Sequence, residues 1–285
     1  KVIVSVGADF LGTWISPVEF ASGWASRRRP TAAAPQMSQH IQIEGKVSLS
    51  GTKADRRFRV SPHLYGAVLT SLASRLAVRA GGKFPVPAGM PSPLPETEIQ
   101  NIANLLWDHR GESLVISDTQ DTPTQTVVNF INDLLGNYGK TLDIDRPSLQ
   151  RQGDDRAVQR LIKELESGKI GGLFVAGTDL THNLPDHDKL SKGIQQIPLV
   201  VSFAEREDDF GSIAHFICPD HHPLESWMDS EPVSGVLSLT QPTIQPLGQT
   251  RSLIESLARW TGRNETSLEM IRSYWKSDLF SKEDG

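Results

Sequence analysis

Two Gly-x-Asp tripeptides, each directly after an apolar run, are the residues whose types and spacing could do chemistry. Gly7-Ala8-Asp9 follows Val2–Val6, and Gly177-Thr178-Asp179 follows the run 173–176. A glycine at the carboxyl end of a parallel strand lets a ligand approach the backbone, and the N-terminus of the next helix attracts anions. A nearby Asp can accept hydrogen bonds from ribose or base groups. The pattern therefore predicts nucleotide-type chemistry; the alternative is an ordinary turn in which Asp caps the following helix.

The two tripeptides belong to a longer internal repeat, 170 residues apart in the sequence (7 and 177). Each half reads as strand, Gly-x-Asp turn, helix, second strand, loop and third strand before Pro. Segments 41–43 and 58–62 of the first half correspond to 199–201 and 213–219 of the second. Because ligands of open α/β sheets lie beyond the carboxyl ends of the strands, the repeat predicts two related turns that face one crevice.

Short apolar runs that alternate with amphipathic stretches predict the elements that must position these turns, a parallel sheet with crossover helices. The expected strands are 2–6, 41–44, 58–60, 114–117, 173–176, 199–202 and 215–218. The expected helices are 17–28, 62–79, 96–108, 122–135, 155–167, 184–195 and 249–261.

The fold class that follows is α/β, with two pseudo-symmetric Rossmann-like units, mainly parallel sheets and a helical C-terminal tail. Strand and helix signals both fade in 139–153, and the pattern loosens into extended chain in 230–249. We therefore predict a first dinucleotide-site-like domain at 1–145, a second at 146–250 and a helical tail at 251–285, which packs on the body or on a partner.

Composition limits the classes of function. A net charge of −5 over 285 residues argues against nucleic acid as the main partner. No apolar run approaches the roughly 20 residues that cross a bilayer, so we expect no direct membrane span. The single cysteine, Cys218, excludes an internal disulfide and a cysteine-ligated cluster within this chain. Because the chain opens inside an apolar strand, we expect it to be a segment of a longer protein.

Other constellations are weaker. The segment 215–225 has the densest group of possible metal ligands: His215, Cys218, Asp220, His221, His222 and Glu225. Pro219 and Pro223 favour an extended turn whose neighbouring side chains diverge, so a crevice rim or a partner interface is favoured over a metal site. No Gly-x-Ser-x-Gly elbow and no Gly-x-Gly-x-x-Gly after a strand is present, which disfavours a serine hydrolase and a nicotinamide dehydrogenase. We predict no catalytic residue and no metal ligand.

Several segments in order carry a family resemblance. Residues 4–10, 168–179 and 222–229 resemble the molybdopterin oxidoreductase (DMSO reductase) superfamily. The run 236–247, with 111–116 and 134–137, is most similar to the molybdopterin-like domain of the alternative complex III iron–sulfur subunit. The resemblance covers about 260 residues of the chain, and its specificity lies in the order and spacing of these segments.

The resemblance implies two pseudo-symmetric domains that each hold one molybdopterin guanine dinucleotide. It places Gly7, Ala8 and Asp9, and likewise Gly177, Thr178 and Asp179, where guanosine or pyrophosphate lies. The segments 117–119 (Ser117, Asp118) and 205–209 (Glu205) are weaker candidates for the same crevice.

The sequence also departs from the family. The resemblance places the metal ligand of active members before residue 2, and we expect the C-terminal β-barrel that clamps both cofactors to be absent from this chain. The family turn Gly-x-Asn-Pro is Gly177-Thr178-Asp179-Leu180 here, and an acceptor-only carboxylate is repelled by phosphate. These departures favour a domain without cofactor.

From the resemblance we therefore expect a structural part of a respiratory, quinol-oxidising electron-transfer complex. We expect its partners to be other subunits of a membrane-associated redox complex on the periplasmic side of a bacterial inner membrane. A cytoplasmic location stays open as the alternative. The alternative is a fragment of an active molybdenum or tungsten oxidoreductase with bis-(molybdopterin guanine dinucleotide). A binding module for another nucleotide stays open as a third interpretation.

Overall fold

The computed structural model describes residues 1–32, 35–91, 93–150, 152–184 and 187–280. The chain divides into two units, unit 1 (Lys1–Pro147) and unit 2 (Ser148–Gly285). Each unit has a parallel sheet with helices between its strands, and the C-terminal region is helical. The expected α/β fold class is confirmed.

The elements of unit 1 are β1 (Val2–Val6), α1 (Pro17–Ser26), β2 (Gln39–Glu44), α2 (Leu49–Lys53), β3 (Arg56–Arg59), α3 (Tyr65–Arg79), α4 (Glu96–Asp108), β4 (Ser113–Ser117) and α5 (Thr122–Leu134). The elements of unit 2 are α6 (Asp155–Glu166), β5 (Gly172–Val175), α7 (Leu180–Asn183), α8 (His187–Ile194), β6 (Leu199–Ser202), α9 (Asp209–Ile213), β7 (Phe216–Ile217), β8 (Met228–Val233), β9 (Val236–Thr240), α10 (Leu253–Trp260) and α11 (Ser267–Tyr274). Short 3₁₀ turns at Pro62–Leu64 and Pro223–Glu225 and a π-helical turn at Trp275–Leu279 complete the described elements.

The sheet of unit 1 has the strand order β3-β2-β1-β4, with all neighbours parallel. Val4 pairs with Ile41 on one side and with Val115 on the other. The chain builds outward from β1 to β3 and then returns to place β4 on the opposite side of β1. The crevice between β1 and β4 is therefore a topological switch point, the place where ligands of open α/β sheets bind.

Alternation along the strands gives this sheet two different faces. Val2, Val4 and Val6 lie in the main hydrophobic core together with residues of α3, α4 and α5. His40, Gln42 and Glu44 occupy alternate positions of β2 on the other face, and all three are buried. A row of buried polar side chains thus lies on the face of the sheet opposite to the hydrophobic core.

The sheet of unit 2 has the order β5-β6-β7, again parallel. Its core contains Leu173, Val200 and Phe210 with residues of α6 and α8. The hairpin β8–β9 is antiparallel and has a register shift between Ser230 and Val233.

Most helix and strand predictions agree with these elements to within a few residues. The helix expected at 184–195 is α8, and the short helix α7, which begins at Leu180 after the N-cap Asp179, was not expected. The helix expected at 249–261 begins only at Leu253, after the N-cap Ser252. The hairpin β8–β9 replaces the loose extended chain expected from 230, and five-residue helices such as α2 are too short for a periodic signal.

In the described part of the chain, no helix is both long and apolar enough to cross a membrane.

Candidate functional site

A cleft of about 1210 Å³ lies at the carboxyl ends of the unit 1 strands. Gly7 and Asp9 line it after β1, and Asp118 lines it after β4. The further lining residues used below are Glu44, Gly45, Lys46, Ser48, Arg59 and Tyr65. Its position includes the switch point of the sheet, so it is the first candidate for a ligand site in unit 1.

Gly7 is enclosed by the side chains of its own unit. Its φ is +82°, and a Cβ built on it would lie 2.1 Å from Asp118 Oδ1 and 2.7 Å from Tyr65 Cε2. Its N–H donates to the Ile43 carbonyl at 2.8 Å. The space on the Cβ side of Gly7 is therefore filled by a carboxylate and a phenol ring.

Asp9 fastens the turn after β1 to α2. Its Oδ1 accepts hydrogen bonds from the Ser50 N–H and from Ser50 Oγ, both at 2.9 Å. Its Oδ2 accepts a longer bond from Thr13 Oγ1 at 3.4 Å. The carboxylate therefore holds the turn after β1 against α2.

Asp118 forms no ion pair with another described residue of the chain. Burial raises its pKa above the ordinary value of 3.8, and a hydrogen bond from its own backbone N–H opposes this only in part. Burial also raises the pKa of Tyr65, whose hydroxyl oxygen accepts the Gly45 N–H at 2.9 Å. The negative charges of Asp118 and Glu44 add to that rise.

Glu44 is charged although it is buried. Burial by itself raises its pKa, but hydrogen bonds from Arg57 Nε (2.6 Å) and Ser48 Oγ (2.6 Å) outweigh burial and leave the pKa lowered. Glu44 also accepts from Gln42 Nε2 at 3.2 Å, and Gln42 Oε1 lies 3.1 Å from His40 Nε2. Because the Gln42 amide nitrogen donates to Glu44 and its oxygen must accept, His40 carries its proton on Nε2.

The turn of unit 2 is built differently. Gly177 has φ +67°, and no atom lies within 4 Å of a Cβ built on it. Asp179 Oδ1 accepts the N–H groups of Thr181 (2.8 Å) and His182 (3.3 Å), so it is the N-cap of α7. Thr178 Oγ1 accepts from Asn183 Nδ2 at 2.9 Å.

Of the remaining predicted site residues, two are buried and form hydrogen bonds within the fold, and one is exposed. Ala8 is buried, and its carbonyl accepts from Ser5 Oγ and Gln42 Nε2. Ser117 is buried and donates through Oγ to the Val6 carbonyl at 2.8 Å, which ties β4 to β1. Glu205 is exposed after β6. Unit 1 therefore brings Gly7, Asp9 and Asp118 together, and the crevice common to both halves stays a prediction.

The internal repeat of the sequence is also present in the hydrogen bonds of the two units. Asp55, just before β3, donates its N–H to the His40 carbonyl and accepts the His40 N–H through its carboxylate. His215, just before β7, donates its N–H to the Val200 carbonyl and accepts the Val200 N–H through Nδ1. In both units a residue before the third strand thus holds both backbone groups of a residue in the second strand.

The polar loop 215–225 is held by internal hydrogen bonds. His221 Nδ1 lies 2.6 Å from Thr250 Oγ1, and Asp220 Oδ1 accepts the Leu253 N–H at 2.8 Å. His222 caps the 3₁₀ turn that follows, and Glu225 Oε2 accepts the His222 N–H. Within the described residues, no three His, Cys, Asp or Glu side chains are placed to hold a metal ion.

The dinucleotide implied by the resemblance needs room and free N–H donors for its pyrophosphate. At Gly7 the room is taken by Asp118 and Tyr65, and the carboxylate repels phosphate. At Gly177 there is room, but the N–H groups of Thr181 and His182 already donate to Asp179. The residues of the two turns therefore do not fit a pyrophosphate group.

Two units, each with a parallel sheet, define an α/β protein, and unit 1 has a cleft at the ends of its strands. Acetylene hydratase from Pelobacter acetylenicus has a similar structure. The TM-score is 0.60 at 11% sequence identity, and the match covers 92% of this chain and 47% of that chain. At this identity the similarity establishes the fold alone.

The match supports the expected fold and does not address the alternative complex III subunit. The chain spans about half the length of acetylene hydratase. No protein-family model matches the sequence, and the comparison with curated proteins finds no match.

Most residues that line the cleft were not among the predicted site residues, and Lys46, Arg59 and Tyr65 are the ones used below. The sequence contained a signal for two of them. Arg59 is the next-to-last residue of the expected strand 58–60, and Lys46 lies two residues after the expected strand 41–44. Tyr65 gave no such signal, because it begins a helix and reaches the cleft only through folding.

Proposed function

We propose that this chain is a molybdopterin-oxidoreductase-like domain that holds no dinucleotide and acts as a structural part of a respiratory, quinol-oxidising electron-transfer complex. The observation that carries the proposal is the enclosure of Gly7 by Asp118 and Tyr65. A carboxylate at the switch point opposes a pyrophosphate by charge, and the phenol ring opposes it by volume. A scaffold can keep such residues because no cofactor has to enter.

The remaining parts of the proposal rest on the sequence resemblance. The partners are other subunits of a membrane-associated redox complex, and the domain lies on the periplasmic side of a bacterial inner membrane. In this role the domain provides a surface that binds partner subunits, whereas redox clusters carried elsewhere in the complex transfer the electrons.

Cofactor content of the purified protein tests the proposal. We expect molybdenum and tungsten far below one atom per chain, and no fluorescent oxidised pterin after acid and iodine treatment. Preparation from native membranes should retain co-purifying redox subunits. Stoichiometric metal together with pterin would refute the scaffold function.

A specific observation favours the alternative, a fragment of an active molybdenum or tungsten oxidoreductase. The open space beside Gly177 leaves the unit 2 turn accessible to a ligand. If this alternative is correct, Gly177→Val, which fills that space, lowers the metal content of the protein. In the scaffold proposal the same substitution leaves the already low metal content unchanged.

A further inference from the structure

The cleft of unit 1 contains charges of both signs that the fold itself does not pair. Asp9 and Glu44 are engaged by Ser50 and Arg57. Asp118 has no ion pair, and neither Lys46 nor Arg59 has an ion pair or a side-chain hydrogen bond to another described residue. One carboxylate and two cations therefore face the cleft without partners in the part of the chain that the structure describes.

The strand order separates these charges. Arg59 ends β3, Lys46 follows β2, and Asp118 follows β4, on the far side of β1. Neighbouring strands lie about 4.8 Å apart, so the ends of β2 and β4 are roughly 10 Å apart. The cleft thus has a positive side and a negative side at a distance that a small amphoteric molecule spans.

Tyr65 reaches both sides. Its ring borders Gly7 and Asp118, and its hydroxyl lies at Gly45 next to Lys46. The residue is 7% exposed. The hydroxyl oxygen accepts the Gly45 N–H, whereas its own proton has no acceptor among the described residues. Buried hydroxyl groups nearly always donate their proton in a hydrogen bond. We therefore expect a ligand at the positive side of the cleft to accept the proton of the Tyr65 hydroxyl.

The negative side favours an organic cation. No described group of acidic, His or Cys side chains could hold a metal ion. A carboxylate beside an aromatic ring is an environment that guanidinium groups prefer, because they are weakly hydrated, pair with both carboxylate oxygens and lie against aromatic rings.

We propose that the unit 1 cleft binds an amphoteric guanidinium compound, with the guanidinium group on Asp118 and a carboxylate between the Tyr65 hydroxyl, Lys46 and Arg59. Free arginine-like amino acids and polypeptides that end in arginine share this chemistry. The inference rests on the proposed function in one respect, that no dinucleotide occupies this cleft.

Calorimetric titration and thermal shift with the purified protein test the assignment. L-arginine should bind and raise the melting temperature, and its neutral isostere L-citrulline should bind about tenfold more weakly or worse, because a charge-assisted hydrogen bond is lost. Agmatine, which lacks the carboxylate, should also bind more weakly than arginine. If acetyl-Gly-Gly-Arg binds more tightly than arginine, the natural source is a polypeptide terminus, and if it binds more weakly, the source is a small molecule.

Matched variants locate the site. Asp118→Asn should abolish the preference for arginine over citrulline. Lys46→Gln should weaken the binding of arginine but not the binding of agmatine. Asp133→Asn, an exposed carboxylate on α5, should change neither. The absence of arginine binding, or equal binding to wild type and Asp118→Asn, would overturn the proposal.

Metal and pterin analysis of the same preparation separates the two proposals. A preparation that contains pterin and still binds arginine refutes only the scaffold function. A pterin-free preparation that does not bind arginine refutes only the present inference.

Discussion

At the scale of single residues, two glycines that the sequence presents as equivalents have opposite surroundings. Both have a positive φ, +82° at Gly7 and +67° at Gly177. The space beside Gly7 is filled by Asp118 and Tyr65, whereas that beside Gly177 is open. The same tripeptide pattern therefore encodes a close packing contact in unit 1 and an accessible turn in unit 2.

Gly7→Ala should destabilise unit 1 strongly. A positive φ costs a residue with a Cβ about 1–3 kcal/mol, and displacing Asp118 and Tyr65 adds a similar overpacking term, so we expect a loss of about 2–4 kcal/mol in urea denaturation. Gly136→Ala is the matched control, since its φ is +64° and no atom lies within 4 Å of a Cβ built there. Equal losses in the two variants would contradict the close contact at Gly7.

Asp118→Asn should give a pH-dependent gain in stability. Burial raises the pKa of Asp118 above 3.8, so the folded state holds this proton more tightly than the unfolded state. The corresponding stability is present below the ordinary pKa and is lost as pH rises through the raised pKa. Asparagine does not ionise, so the variant does not lose this stability as pH rises. Its free energy of unfolding should exceed that of wild type at pH 7, and the difference should shrink toward pH 4. Urea denaturation at both pH values checks this, and a pH-independent difference would contradict it.

At the scale of elements, the second and third strands of both sheets are joined in the same way. Ser48 caps α2 through the Gly51 N–H, and Asp208 caps α9 through the Gly211 N–H. Directly after these helices, Asp55 and His215 hold the backbone groups of the second strand. The repeat is therefore conserved in hydrogen-bond geometry although the residue types differ, because each side chain only needs to supply one acceptor.

Asp55→Ala and His215→Ala should each weaken their own unit. Each removes the acceptor for a strand N–H, which costs about 1–2 kcal/mol. The loss should be larger for Asp55, because Arg28 also donates two hydrogen bonds to that carboxylate, at 2.7 and 2.6 Å. Urea denaturation followed by circular dichroism measures both, with Asp133→Ala as the surface control. A loss at Asp55 no larger than that of the control would argue against the shared geometry.

At the scale of the whole molecule, the two units have cores of different size. The core of unit 1 joins β1, β2 and β4 to α3, α4 and α5. The core of unit 2 is a smaller group around Val200 and Phe210, with α6 and α8. Since burial of apolar surface is the main stabilising term, unit 1 should be the more stable of the two.

Separate fragments test that difference. We expect residues 1–147 to fold alone and unfold cooperatively on heating, and residues 148–285 to melt at a lower temperature. Differential scanning calorimetry of both fragments and of the whole chain measures this order. A higher melting temperature for 148–285 would show that core size does not decide the stability of these units.

Local pattern made much of the fold predictable. The apolar runs and their alternation with amphipathic stretches predicted β1, β6 and α4 to the residue and most other elements to within a few positions. The five-residue helices were missed, because fewer than two helical turns produce no periodic signal. The candidate site was predictable only in part: Asp118 was a weaker candidate, and Tyr65 was not a candidate at all.

The sequence by itself determined the α/β class, the repeat and the strand-end turns, because these depend on the spacing of residues that are near one another along the chain. Only the tertiary structure decided what surrounds Gly7. Parallel strands require long crossovers, so β4 and α3 bring Asp118 and Tyr65 to a turn that is far from both in sequence. The charge and the free volume at a strand end are set by these distant side chains, and no local pattern records which of them will arrive there.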